Sequence, residues 1–236
     1  MLLRFMAILS LGLLSVSAYA ADPSLKTQKD KVSYSIGLDI GGNLKNQSIE
    51  IDPKLLAQGI QDAVSGGKRL LTEEEVKGVM MAFQQEMQAK AATKAKEAGD
   101  KNLKEGSTFM AENKKKKGVT TLPSGLQYKI ITAGTGKKPK ATDTVTTHYR
   151  GTLIDGTEFD SSIKRGEPAS FPVSGVIPGW TEALQLMPVG SKWQLVVPPD
   201  LAYGPRGAGQ QIGPNATLVF EVELLSIQEE GKTPKP

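Results

Sequence analysis

The 236-residue chain reads as an α+β protein: an all-helical amino-terminal region, a long connecting helix, and a curved antiparallel sheet packed on one short helix. Three observations predict this. Apolar residues recur every fourth position through much of residues 25 to about 117, as on one face of a helix. From Val119 the period changes to two, with Gly, Pro, Asp and Ser filling the gaps between runs. In that second half only Trp180 to Met187 has helical amphipathicity, through Trp180, Leu184 and Met187.

Residues 1–20 are expected to be a signal peptide. Arg4 supplies a basic start, Phe5 to Leu14 an apolar stretch, and Ala18-Tyr19-Ala20 a small-x-small cleavage site. The apolar run is too short for a stable membrane anchor. Cleavage after Ala20 and export follow from that reading.

Residues 21–71 read as a helical dimerisation domain. Thr27 with Asp30 resembles a capping box, and Val32, Ile36, Ile40 and Leu44 form a stripe. Ser33, Gly37 and Gly41 run beside it, which suggests close approach of another helix, since glycine costs about 1 kcal/mol against alanine in a helix. Asp52-Pro53 opens a second helix with Leu56, Ile60, Ala63 and Val64 on its apolar face, and Gly66-Gly67 ends it.

Residues 72–117 read as one long helix, opened by the Thr72-Glu73-Glu74-Glu75 capping box and stopped at Gly118. Some forty residues at 1.5 Å each make it about 60 Å long. Val76, Val79, Met80, Phe83 and Met87 give its first part an apolar side, and from Lys90 to Lys101 it is polar all round, as in helices that bridge domains. Gly99 and Gly106 read as weak points, and Lys114 to Lys117 as a solvated helix end. So few large side chains make a poor core for one copy. A homodimer is expected, joined over residues 25 to about 88 through the Gly37/Gly41 and Met80/Phe83 faces. The alternative is a compact monomeric bundle.

Residues 118–228 read as the sheet domain and 229–236 as a flexible tail. Strands are expected at 127–131, 144–154, 169–173, 192–197 and 217–227, with a hairpin turn at Asp155-Gly156.

The composition excludes several chemistries. There is no cysteine, hence no disulfide, thiolate catalysis, cysteine zinc site or lipobox. The single histidine, His148, alternates with Val145, Thr147 and Tyr149 and so faces water if Tyr149 faces inward. The formal charge of +4 becomes +3 once Arg4 is removed, which is too weak and mixed to indicate nucleic acid. No metal and no cofactor are expected.

The residues left to make a site are mostly apolar. In Val176-Ile177-Pro178-Gly179-Trp180 a Pro-Gly turn holds a tryptophan at the mouth of the short helix. Trp180 is then either core or the floor of a pocket for a compact apolar ring. Tyr149, Phe159, Phe171, Tyr203 and Phe220 can converge with Val176 and Ile177, and Asp160 and Arg165 are the few charged groups nearby. A concave apolar site with a few placed polar groups is the usual form of a ligand pocket. For Phe171 and Phe220 a core role is equally open.

Gly151-Thr152-Leu153 to Phe159-Asp160-Ser161-Ser162, Val176 to Trp180, Leu201-Ala202-Tyr203-Gly204 and Ala216 to Phe220 together resemble an FK506-binding-protein-type peptidyl-prolyl cis-trans isomerase over residues 119 to 228. The helical half, with Lys31 to Gly37, resembles the macrophage infectivity potentiator subgroup and its periplasmic chaperone relatives, which are dimers. The resemblance implies Asp160, Tyr203, Trp180 and Ile177 as catalytic, with Trp180 flooring the proline ring and the Ile177 N–H and Tyr203 hydroxyl bonding substrate carbonyls. It implies Tyr149, Phe159, Arg165, Phe171, Val176 and Phe220 as substrate-binding. Asp160 is expected as an ionised neighbour of Arg165, either orienting polar groups at the twisting bond or serving as a structural ion pair. Proline-containing polypeptides are the implied substrates and macrolides of the FK506/rapamycin type the implied inhibitors. Ala169 stands where many single-domain members have an aromatic, and Ala208 and Gln211 replace bulkier or ring-bearing residues and give a smaller flap after Tyr203. The implied setting is the periplasm, outer membrane or surface of a Gram-negative bacterium. The main reading is a dimeric isomerase for exported proteins; the alternatives are a holdase and a host-interaction protein.

Overall fold

The computed structural model describes residues 25–228; the expected signal peptide at 1–20 and tail at 229–236 lie outside them. The described residues divide into two compact units, which part between Glu73 and Glu74.

The first unit is two helices. Helix α1, Gln28–Asn46, starts at the capping box: Asp30 N–H donates to Thr27 Oγ1 at 3.1 Å and Thr27 N–H to Asp30 Oδ2 at 2.8 Å. Helix α2, Pro53–Ser65, is capped by Asp52, which accepts from the Lys54 N–H at 2.7 Å, and ends at Gly66 in the left-handed conformation. No residue of either helix is buried. Val32, Ile36, Leu56 and Ile60 are all exposed, and a Cβ built on Gly37 or Gly41 meets nothing within 4 Å.

Helix α3, Glu73–Asn113, runs for 41 residues. Pairs at i,i+4 support its polar stretch, such as Lys90–Glu86 at 2.7 Å and Lys96–Asp100. Gly99 and Gly106 are not weak points. Both are buried, as is Asn113. A Cβ on Gly99 would lie 3.0 Å from Asn215 Nδ2, and one on Gly106 would collide with the Thr217 hydroxyl. Asn113 Nδ2 donates to Gln127 Oε1 at 2.9 Å, and Gln127 Nε2 to the Met110 carbonyl at 2.9 Å. The last third of the helix is therefore attached to the sheet domain through small and amide side chains. Lys114 to Lys117 are exposed, with Lys116 Nζ 5.5 Å over the Phe109 ring.

The sheet is antiparallel and seven-stranded: β1 (Val119–Thr121), β2 (Gln127–Thr132), β3 (Thr144–Leu153), β4 (Glu158–Ser161), β5 (Ala169–Pro172), β6 (Lys192–Val197) and β7 (Leu218–Gln228). Its order is β1-β2-β6-β7-β3-β4, with β5 beside the first half of β3. The expected strands appear with ends moved by a residue or so. The strands at 119–121 and 158–161 were not expected, nor was the one-turn helix α4, Ser162–Arg165. The turn at Asp155-Gly156 is present: Gly156 has φ 89° and its N–H donates to the Leu153 carbonyl at 3.0 Å.

Helix α5, Pro178–Leu186, covers the concave face. Trp180, Ala183, Leu184 and the following Met187 pack on Val145 and Tyr149 of β3, Leu195 and Val197 of β6, and Phe220, Val222 and Leu224 of β7. A Cβ on Gly179 would stand 2.5 Å from Val197 Cγ1, so that glycine sets how near the helix lies to the sheet. His148 is half-buried rather than turned to water. Its Nδ1 lies 3.1 Å from Ser162 Oγ, which also accepts from the Tyr149 N–H at 2.7 Å.

Candidate active site

The chain enters α5 through Ile177-Pro178. The proline disfavours helical angles at Ile177, which sits at φ −58°, ψ 148° as the N-cap. Its carbonyl accepts the first bonds of the helix, from Trp180 at 2.9 Å and Thr181 at 3.1 Å. Its own N–H has no acceptor among the described residues. Trp180 follows one turn later and lies nearly fully buried, 4% exposed.

Trp180 is both core and floor. It closes a cavity of about 420 Å³ whose walls are Tyr149, Phe159, Phe171 and Phe220, with Gly175, Val176 and Ile177 on one side and Asp160 and Tyr203 on the other. Four rings meet around it edge to face: Tyr149–Trp180 and Trp180–Phe220 at 5.3 Å, Phe171–Trp180 at 6.0 Å and Phe159–Phe220 at 5.6 Å. Such T-shaped pairs hold ring planes in fixed relation. The Trp180 indole N–H has no hydrogen-bond partner among the described residues.

Nine of the ten site residues expected from the sequence line this one cavity. Arg165 does not line it. It stands behind the wall, where α4 carries it over the Tyr149 ring at 5.5 Å. It pairs with Asp160 Oδ1 and donates to the Tyr149 hydroxyl at 2.8 Å, while that hydroxyl donates to Asp160 Oδ2 at 2.6 Å. Tyr203, by contrast, is exposed at the rim, and its hydroxyl is unpaired among the described residues.

This triangle decides the state of the carboxyl. Burial alone would push Asp160 up. The hydrogen bonds from Tyr149 and Arg165 and the guanidinium charge outweigh it and hold the group below its ordinary value. Burial raises the Tyr149 phenol, with the Asp160 hydrogen bond acting in the same direction. Asp160 is thus an anion with both oxygens engaged, a poor general base. Turnover is expected to stay flat between about pH 5 and about pH 9, between the ordinary carboxyl and phenol ranges. A rate profile tests this; a titration step inside that range would defeat the expectation. For stability, the lowered Asp160 value gives a contribution present above the unfolded-state value and lost as pH falls through the folded one.

Two residues of the site carried no role in the sequence reading. Gly175 lines the cavity, and nothing in its turn context marks it. Gly151 underlies the walls: a Cβ there would stand 2.7 Å from Phe159 Cε2 and Cζ and 2.8 Å from Phe220 Cε1. A lone glycine inside a strand run signals such close approach. A second cavity of about 440 Å³ adjoins the first, sharing Phe159, Asp160 and Tyr203 and closed by the loop at Ala208 to Ile212.

Comparison with known proteins bears on both halves of the chain. Residues 135–225 match the FKBP-type peptidyl-prolyl cis-trans isomerase family, and residues 29–130 match the domain amino-terminal to it. The chain is 54% identical over 223 residues to the outer membrane protein MIP of Legionella longbeachae, covering 94% of this chain and 96% of that protein. It is 44% identical over 222 residues to peptidyl-prolyl cis-trans isomerase Mip of Coxiella burnetii, again covering 94% and 96%. The crystal structure of FkpA from Escherichia coli aligns with a TM-score of 0.68 at 40% identity, over 87% of this chain and 99% of that one. An aromatic cleft built on Trp180, in a chain related along nearly its whole length to such enzymes, makes this protein a member of the FKBP-type peptidyl-prolyl cis-trans isomerases.

Proposed function

We propose that the isomerase reaction takes place in the Trp180 cleft by non-covalent stabilisation of a twisted X-Pro amide. The ring of aromatic walls over a buried indole carries the reading. Rotation about the bond breaks amide resonance, with a barrier near 20 kcal/mol, and no proton or covalent bond need move. The twisted carbonyl is less polar than the planar one. A dry aromatic cleft therefore favours it over the planar form. Trp180 floors the proline ring. The unpaired Ile177 N–H and the Tyr203 hydroxyl hold substrate carbonyls on either side. Asp160, fixed by Tyr149 and Arg165, supplies a static negative charge at the edge of the cleft.

Asp160→Leu is expected to lower the rate of proline-limited refolding at least tenfold, about 1.4 kcal/mol of transition-state stabilisation. Its melting curve should move little, because the group is partly exposed. Refolding at the native rate would defeat the assignment.

The exposed apolar faces of α1, α2 and the start of α3 support a homodimer, with residues 21–71 as its core and residues 72–117 as the link to the isomerase domain at 118–228. Leu55 is 63% exposed, Val64 84% and Val79 57%, and exposed apolar faces of this kind mark interaction surfaces. A dimer mass in sedimentation equilibrium at micromolar concentration is the expected result; a monomer there would overturn it. Two clefts joined by long helices suit a chaperone for proline-containing chains. The kinship with an outer membrane protein and the signal-like start fit an envelope location. The cleft also suits FK506-like macrolides as competing ligands. Should aggregation suppression survive Asp160→Leu and need the helices, holdase activity would be the main role.

A further inference from the structure

The loop that closes the second cavity is rooted on helix α3. Its outgoing and returning arms meet where the Asn215 N–H donates to the Gly204 carbonyl at 2.8 Å. Its tip is a small hairpin, with Ala208 and Ile212 bonded in both directions at 2.9 and 3.2 Å. The returning arm, Gly213 to Thr217, lies against the helix. Asn102 Nδ2 donates to the Pro214 carbonyl at 2.8 Å. Gly99 admits the Pro214 and Asn215 side chains, and Gly106 admits Thr217. A Cβ on Gly213 would come 3.1 Å from Asn102 Nδ2, so the amide reaches into a close approach on both sides. Asn215, in the middle of the docked arm, holds φ 55°, a left-handed angle unusual for a non-glycine residue.

We infer that Asn102 is a positioning residue for the isomerase: through the Pro214 carbonyl, with Gly106 giving the room, α3 sets the height of the loop that walls the second cavity and so governs selection of the residues flanking the substrate proline. No other side chain of α3 bonds this arm among the described residues. The tip itself is held by its own two backbone bonds, so a shift at its root moves Ala208 to Ile212 as a unit over Phe159, Asp160 and Tyr203. The inference rests on the Trp180 cleft being the active site.

The test uses the full chain and a series of cis-enriched X-Pro peptides that differ at the residue before proline. Asn102→Ala removes the donor at a half-buried helix position that alanine suits, so folding is retained. Gly106→Ala forces the helix away from Thr217, and Gly106→Ala/Thr217→Ala relieves that clash. Both single variants are expected to raise KM about three- to tenfold, the factor of one hydrogen bond, with kcat nearly unchanged and the ranking of peptides altered. The double variant should restore the native ranking. Unchanged KM and ranking in Asn102→Ala, or a Gly106→Ala loss that the double variant does not relieve, would overturn the inference. Asp160→Leu is assayed beside them. Full turnover there would overturn the cleft assignment, and with it this inference; impaired turnover there beside unaltered helix variants would overturn the seam alone.

Discussion

Trp180→Ala is expected to abolish most isomerase activity and to destabilise the sheet domain by about 3–5 kcal/mol, the usual range for emptying a core aromatic site. The indole is 4% exposed and packs edge to face with Tyr149, Phe171 and Phe220. Its loss removes the floor and the three contacts that orient the walls. Chemical denaturation gives the stability change, and Trp193, stacked on Tyr128 at 4.3 Å, remains as a fluorescent reporter of the far side of the core. Activity must be read where the variant is still folded. Trp180→Phe separates the two effects: it refills much of the volume, so stability should largely return while kcat/KM stays low. Equal recovery of both would mean that the indole serves packing alone.

Gly151→Ala should have the next largest effect. One methyl group would have to fit 2.7 Å from Phe159 and 2.8 Å from Phe220. Neither ring can simply swing away, because Phe220 is held edge to face by Trp180 and Phe159 by Phe220. Overpacking of this kind costs about 1–3 kcal/mol. The same displacement parts the cleft walls, so kcat/KM is expected to fall about tenfold, the equivalent of about 1.4 kcal/mol. A variant with native kinetics and a lowered melting temperature would mean that the rings move without affecting catalysis.

The helices, their caps and most strands were legible because each carries a periodic or capping signal. Thr27/Asp30 and Asp52-Pro53 read directly as helix starts, and Val145, Thr147 and Tyr149 alternate as they do in β3. Strand β4 was not legible. Glu158-Phe159-Asp160-Ser161 is short and mostly polar and exists by pairing with β3 across the Asp155-Gly156 turn. The α3 attachment escaped for a different reason. Gly99, Asn102, Gly106 and Asn113 follow helical spacing, yet none is apolar, so hydropathy records nothing where shape and amide bonds hold the helix. The aromatic set was visible one residue at a time. Its convergence came from ordered motifs, and the placing of Arg165 behind the wall needed the fold.

The Asn102–Pro214 bond joins residues 112 apart in the chain. Helix α3 can form locally within about a microsecond, whereas its docking site waits for β7. Until then the stretch of that face at Gly99, Asn102 and Gly106 shows water glycine and amide groups, and it offers little for another unfinished chain to stick to. An apolar seam at the same place would bind as well in the end but would be a hazard while the chain emerges. The attachment thus suits a protein whose halves are made far apart in time: it is inert before its partner exists and specific once Gly213 to Thr217 arrive.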